Sequence, residues 1–237
     1  IKAYYDKAFF PQNVVISING NVDKEKTINE FTKIFNNKKG EKFDYSKYSI
    51  PSLKEGKKIT TSVKDLKTDW IIIGWQTPGV LSRKDYAALQ VIDSLLGSGM
   101  SSRLFKNLRD KDGLAYQLGS QYSPNALKGA FIVYIGTNPE NLNYAQSRML
   151  EEVFRLKKVG SKELQEAKDK LLGHYIIGQE TNLDKATTIG WFEASGRGYK
   201  FDDQYAQLIN SVTESDIIEA ANKYFNNNYV LSIVKPD

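Results

Sequence analysis

Two segments of this 237-residue chain repeat one another at the spacing of a whole domain. Phe10-Pro-Gln-Asn-Val-Val-Ile-Ser-Ile18 aligns with Phe225-Asn-Asn-Asn-Tyr-Val-Leu-Ser-Ile233, with five of nine positions identical and an offset of 215 residues. Each segment is typical of an aromatic helix end, a turn and a buried strand. A period this long indicates duplication of a folding unit, because solenoid repeats recur every ~20 to 50 residues. Chance similarity of two strands is the alternative.

The repeat predicts a division of the chain near residue 50. Residues 1–50 are expected to be the tail of a first, mostly absent unit followed by a linker, and residues 51–237 a complete second unit. In the first part, Asp23 is placed to cap a helix that runs to Phe35, and a polar stretch follows from Glu41 to Gly56. On this interpretation most of the first unit lies upstream of Ile1.

The second unit shows strands first, then helices, then a returning strand. The predicted strands are 59–63, 69–75, 114–122, 129–137 and 229–234. The predicted helices are 82–96, 101–110, 140–158, 161–179, 182–195, 202–209 and 213–225. Ser82 with Asp85, and Thr213 with Asp216, match the capping-box pattern at two helix starts. This order predicts an α+β fold with a mostly antiparallel sheet packed by several helices.

Composition excludes several kinds of site. The chain has no cysteine, which removes disulfides and cysteine-ligated zinc but does not select a compartment, so localisation stays open. The formal net charge is +5, yet the basic residues are scattered rather than grouped with aromatics, which favours a solvated surface over nucleic-acid binding. No stretch approaches the ~20 apolar residues of a membrane helix, so no membrane span is predicted.

The sequence offers little for catalysis by this chain alone. His174 is the only histidine, whereas zinc sites need several clustered ligands, and Glu180 lies on a different helical face. A serine hydrolase would need the same histidine, and no Gly-x-Ser-x-Gly motif accompanies it. We expect a packed or interface histidine, and neither a metal site nor a catalytic residue in this chain.

Two other patterns have simple structural interpretations. The segment 97–102 lacks the Gly-Lys-Ser/Thr ending of a phosphate-binding loop and joins two predicted helices, so it is interpreted as a glycine hinge. Neighbouring carboxylates lie among lysines on polar helix faces and are interpreted as solvated charges. These carboxylates are Glu151 with Glu152, and Glu163 with Glu166.

The segment Leu96-Gly-Ser-Gly-Met-Ser-Ser-Arg-Leu-Phe-Lys-Asn-Leu-Arg109-Asp-Lys-Asp-Gly-Leu-Ala-Tyr116 is the most informative motif. It resembles the second-half signature of the pitrilysin/insulinase zinc metallopeptidases, relatives of the mitochondrial processing peptidase. Arg109 and Tyr116 match that signature in identity and in their spacing of seven residues. The passage from Tyr4 to Asp23 is similar to another family motif, although Asn21 stands where Asp is commoner. Together these resemblances cover almost the whole chain.

The resemblance implies the non-zinc-binding half of a two-part peptidase. Family members carry zinc on a His-x-x-Glu-His motif in the first unit, and no such motif occurs here. Zinc is therefore expected in the missing or partner half, within the same polypeptide or as a separate subunit, and a dimer is left open. The family roles place Arg109 on the substrate backbone of a peptide or unfolded polypeptide and Tyr116 on the scissile carbonyl. Arg103 is a weaker candidate, expected to be structural.

Alternatives remain at this point. A non-catalytic scaffold or partner subunit of the same family would share the fold without cutting peptides. Arg109 could instead contact a helix C-terminus, and Tyr116 could be an aromatic that packs on a strand. The sequence before Ile1 would distinguish the two hypotheses, because a peptidase needs the His-x-x-Glu-His motif and a scaffold does not.

Overall fold

The computed structural model describes residues 1–36, 40 and 50–237, without the side chains of 6–8. The chain forms two compact units, one of Ile1–Ile50 with Tyr175–Gln204 and one of Pro51–His174 with Tyr205–Asp237. The predicted division into a first-unit tail of residues 1–50 and a complete second unit of 51–237 concerns a duplication, and it stays a prediction. Most of the predicted linker from Glu41 to Gly56 lies outside the described residues.

The larger unit is built on a five-stranded sheet. Its strands are β1 (Lys57–Val63), β2 (Asp69–Pro78), β3 (Ala115–Pro124), β4 (Lys128–Thr137) and β5 (Val230–Pro236), in the spatial order β1-β5-β2-β4-β3. Only β1 and β5 pair in parallel, and the other neighbours are antiparallel. The predicted α+β fold with a mostly antiparallel sheet is confirmed.

The described helices are, in chain order, α1 (Lys2–Ala8), α2 (Lys24–Phe35), α3 (Arg83–Leu96), a π-helix (Phe105–Lys111), α4 (Leu142–Phe154), α5 (Ser161–Ile177), α6 (Asn182–Ala194), α7 (Asp202–Asn210) and α8 (Glu214–Tyr224). Short 3-10 turns occupy Pro11–Asn13, Pro139–Asn141, Arg155–Lys157 and Tyr199–Phe201. No described helix combines the length and apolar character needed to cross a bilayer.

The core of the larger unit lies on one face of β2 and β4. Alternate residues of β2 are buried, and they sit opposite buried residues of β4 because the side-chain period of a strand is two. The register pairs Ile71 with Ile135, Ile73 with Val133 and Trp75 with Phe131. The Trp75 ring also meets Phe225 edge to face at 5.3 Å, which holds the end of α8 against the sheet.

Helix α3 covers this core as its apolar period predicts. Its buried positions include Tyr86, Leu89, Ile92 and Leu96. The capping box predicted at its start is wrong, because Ser82 Oγ donates to Asp85 Oδ2 at 2.8 Å and accepts no backbone hydrogen bond. At the start of α8 the predicted box is confirmed, since the side chains of Thr213 and Asp216 bond each other's backbone N–H.

The smaller unit contains α1, α2 and α6. Asp23 caps α2 as predicted, accepting from Lys26 N at 2.9 Å. The buried strand predicted at residues 14–18 is wrong for the described chain, because Val14, Val15, Ile16 and Ile18 are 40–44% exposed and no strand forms there. A strand needs a hydrogen-bonding neighbour, and no described residue of this unit supplies one. The segment near the C-terminus that matches it in the repeat forms β5, which is hydrogen-bonded to β1 on one side and to β2 on the other.

Candidate functional site

Arg109 is presented by the last turn of the π-helix. The predicted helix at 101–110 is confirmed in position, but its hydrogen bonds widen, with Asp112 N donating to Asn107 O at 3.0 Å. Gly113 then takes a φ of +63°, in the left-handed region that glycine tolerates best, and ends the helix. This reversal leads the chain directly into β3.

Tyr116 stands at a β-bulge near the start of β3. Ala115 pairs with Thr137 and Gln117 pairs with Gly136, so Tyr116 is the extra residue between them. Bulges redirect side chains and are frequent beside functional sites. Tyr116 is 87% exposed, which contradicts the alternative that it packs on the strand.

The guanidinium of Arg109 lies over two aromatic rings. Its central carbon is 4.6 Å from the centroid of Phe105 and 5.0 Å from that of Tyr116. Cation–π attraction of this kind holds the guanidinium beside both rings. Across the described residues, the Arg109 side chain makes no hydrogen bond and no ion pair. The structure therefore brings Arg109 and Tyr116 together and leaves the donors of both available.

The pair borders a cavity of about 260 Å³ that the loop after α3 also lines. That loop approaches β3 closely at Gly97, where a Cβ would lie 2.0 Å from Ser120 N. Asp93 joins the two elements, because its carboxylate accepts from Ser120 Oγ at 2.5 Å and from Tyr122 N at 3.1 Å. Burial raises the pKa of Asp93, and the hydrogen bonds only partly oppose that effect.

Arg103 has a structural role, as predicted. Its Nε and Nη2 each donate to the Glu163 carboxylate at 2.6 Å, and Nη2 also donates to Lys158 O at 3.1 Å. This bidentate pair connects α5 to the start of the helical segment that contains Arg109. Glu163 is therefore the ion-pair partner of Arg103, and its interpretation as a solvated charge is wrong.

Sequence reasoning missed a network behind the turn at Gly113. Arg148 Nε on α4 donates to Asp112 Oδ2 at 2.8 Å, and Arg148 also contacts Glu151 and Glu152. Interpretation of Glu152 as a solvated charge is wrong, because Glu152 is fully buried and bonded to Arg155 at 2.8 Å. The four-residue spacing of Arg148 and Glu152 could have indicated their pairing, but nothing local indicates Asp112.

Metal ligands are not assembled in the part of the chain that the structure describes. Within residues 1–36, 40 and 50–237, no group of three or more His, Asp or Glu side chains is placed to hold a metal ion. His174 is exposed near the end of α5 rather than packed. The described residues therefore do not fit a zinc site.

Comparison with known proteins gives one consistent result. Residues 1–171 match the family described as the peptidase M16 inactive domain. A protein of Rickettsia felis named an uncharacterized zinc protease is 29% identical over 237 residues, covering 99% of this chain and 56% of that protein. The chain therefore spans little more than half the length of that relative.

Solved structures show the same fold. A protease from Helicobacter pylori superposes with a TM-score of 0.78 at 23% identity, covering 92% of this chain and 54% of that one. A peptidase M16 inactive domain from Pseudomonas fluorescens gives a TM-score of 0.76 at 20% identity, with 92% and 52% covered.

Proposed function

Because this chain belongs to the peptidase M16 inactive-domain family, we propose that it is the substrate-binding, non-zinc half of a zinc-dependent endopeptidase. Its substrate would be a peptide or an unfolded polypeptide enclosed between this half and a catalytic half. That catalytic half belongs to the same polypeptide or to a separate subunit. The name of the Rickettsia felis relative supports zinc-dependent proteolysis as the activity of the whole protein.

The cation–π contact of Arg109 with Tyr116 is the observation that carries the proposal. Peptide bonds offer carbonyl acceptors, and the Arg109 guanidinium presents N–H donors that no described residue engages. The Tyr116 hydroxyl belongs to a side chain that is 87% exposed at a bulge, so it can reach a bound substrate. In this role Arg109 holds the substrate backbone, and Tyr116 donates a hydrogen bond to the scissile carbonyl as negative charge develops on its oxygen.

Zinc is assigned to the catalytic half. The described residues of this chain do not fit a zinc site, so this half would contribute binding and charge stabilisation only. Arg109 and Tyr116 need no metal to act as donors. Their contribution can be measured as peptide turnover when the catalytic half is present.

The test is peptide turnover by the complete two-half enzyme carrying Tyr116→Phe or Arg109→Ala. Tyr116→Phe keeps the ring against Arg109 and removes only the hydroxyl, so kcat should fall about 10²-fold with little change in KM. Arg109→Ala should mainly raise KM, because it removes backbone binding.

Two exposed side chains outside the cavity serve as matched controls. Tyr144→Phe and Lys111→Ala make similar chemical changes on α4 and at the end of the π-helix, and both should leave turnover unchanged. Near-normal turnover in both Tyr116→Phe and Arg109→Ala would refute the assigned roles. A partner half without His-x-x-Glu-His would favour the scaffold alternative.

A further inference from the structure

A second cavity of the larger unit lies on a different side of the helical segment that carries Arg109. Its volume is about 280 Å³, and its walls come from α3, residues 101–107, residues 155 and 158 at the two sides of the 3-10 turn, and α5. Cationic side chains dominate the lining, with Lys106 on the π-helix, Lys158 after the 3-10 turn and Lys170 on α5. None of these residues lines the Arg109 and Tyr116 cavity.

The positive charge of this cavity is only partly neutralised. Arg103 is paired with Glu163, and Arg155 is paired with Glu152. In contrast, the side chains of Lys106 and Lys158 make no ion pair or hydrogen bond anywhere in the described chain. Glu166, the other carboxylate of the lining, lies 4.0 Å from Lys162.

A buried donor of the lining also lacks a partner. Arg103 is 9% exposed, and its Nη1 is buried without a hydrogen bond to any described residue. Leaving a charged N–H unsatisfied is costly, so such a group usually has an ion or water beside it. Arg103 lines a cavity rich in cationic side chains, so an anion bound there would lie beside this guanidinium.

Lys170 gives independent support for uncompensated charge. Its ammonium donates to Ser94 O at 2.5 Å and to Ser98 O at 2.6 Å, which fixes it in the wall. Burial first, and then the neighbouring positive charge of Lys106, lower the pKa of Lys170, whereas Asp93 acts in the opposite direction. A bound anion would offset the repulsion from Lys106.

We propose that this cavity is an anion-binding site for a phosphate-bearing ligand. A phosphate group carries up to two negative charges and three acceptor oxygens, and lysines bind it as point charges. Lys106, Lys158 and Arg103 all line the cavity, so a phosphate bound there would lie among their positive charges. A carboxylate has one charge and two coplanar oxygens, so it would neutralise less of the positive charge of this lining. The site is independent of the proposed peptidase role.

The test is calorimetric titration of the purified protein with sodium pyrophosphate at low ionic strength. We expect one site per chain, with affinity falling as salt is added. Lys106→Met and Lys158→Met should each weaken binding about tenfold, because each removes one charged contact. Lys157→Met is the matched control, since this exposed lysine adjoins Lys158 but lies outside the lining, and it should bind normally.

Three outcomes would overturn the proposal. They are an absence of pyrophosphate binding at millimolar concentration, equal weakening in all three lysine variants, and succinate binding as tightly as pyrophosphate. Equal weakening would show diffuse attraction to a basic surface, and tight succinate binding would show a carboxylate site. Circular dichroism of each variant confirms that the fold is retained.

Discussion

Arg148 on α4 holds Asp112 in the turn that carries the chain from Arg109 to Tyr116. The Nε to Oδ2 distance is 2.8 Å, and the two side chains are only 13% and 12% exposed. Asp112 directly precedes Gly113, so this ion pair anchors the backbone reversal to a helix outside the cavity. The geometry of the Arg109 and Tyr116 pair therefore depends on residues that would never touch a substrate.

Replacing Arg148 by Met should destabilise the larger unit by about 3 kcal/mol, because it leaves the buried carboxylates of Asp112 and Glu152 short of a cation. Asp112→Asn should cost about 1 kcal/mol, since it keeps the shape of the turn and Arg148 keeps its glutamates. Urea unfolding followed by circular dichroism measures both free energies. Equal small losses, under about 0.5 kcal/mol, would show that the network does not stabilise the turn.

Gly113→Ala and Gly173→Ala should change stability in opposite directions. Neither added Cβ meets an atom within 4 Å, so backbone conformation alone decides the sign. Gly113 has φ +63°, and alanine there should cost about 1–2 kcal/mol. Gly173 lies inside α5, where alanine should add about 0.5–1 kcal/mol. Thermal unfolding of the two variants tests this, and a shift of the same sign in both would contradict it.

The free energy of unfolding should depend on pH through the carboxylate of Asp85. Burial alone would raise its pKa, but hydrogen bonds from Ser82, Tyr224 and Lys223 outweigh that effect and lower it below 3.8. Because the folded pKa is lower than the unfolded one, the carboxylate stabilises the fold above pH 3.8 and loses this contribution as pH falls further.

The corresponding variant is Asp85→Asn. It should lower the free energy of unfolding at pH 7, and the difference from the unchanged protein should narrow as pH falls below 3.8. Denaturant titrations at several pH values measure that difference. Asp110→Asn alters an exposed carboxylate and should have little effect at any pH. A difference that is constant with pH would refute the explanation that hydrogen bonds to the Asp85 carboxylate lower its pKa.

Sequence alone predicted the features that depend on short separations along the chain. The buried face of α3, the strands β3 and β4 and the capping box of Thr213 with Asp216 all follow from the periods of helix and strand or from a three-residue reach. The motif that holds Arg109 and Tyr116 also lies within one short segment, so the resemblance to the family could be recognised from it.

Tertiary structure decided everything that depends on partners distant in the chain. Ser82 and Asp85 have the spacing of a capping box, but Asp85 instead accepts from Tyr224, which lies 139 residues away. Glu152 is buried because Arg148 and Arg155 compensate its charge, and residues 14–18 form no strand because no described neighbour pairs with them. The bulge that exposes Tyr116 depends on the register with β4. Local pattern indicates most of the helices and strands, whereas packing decides which strands find a neighbour and which polar groups meet, because those partners lie on other elements.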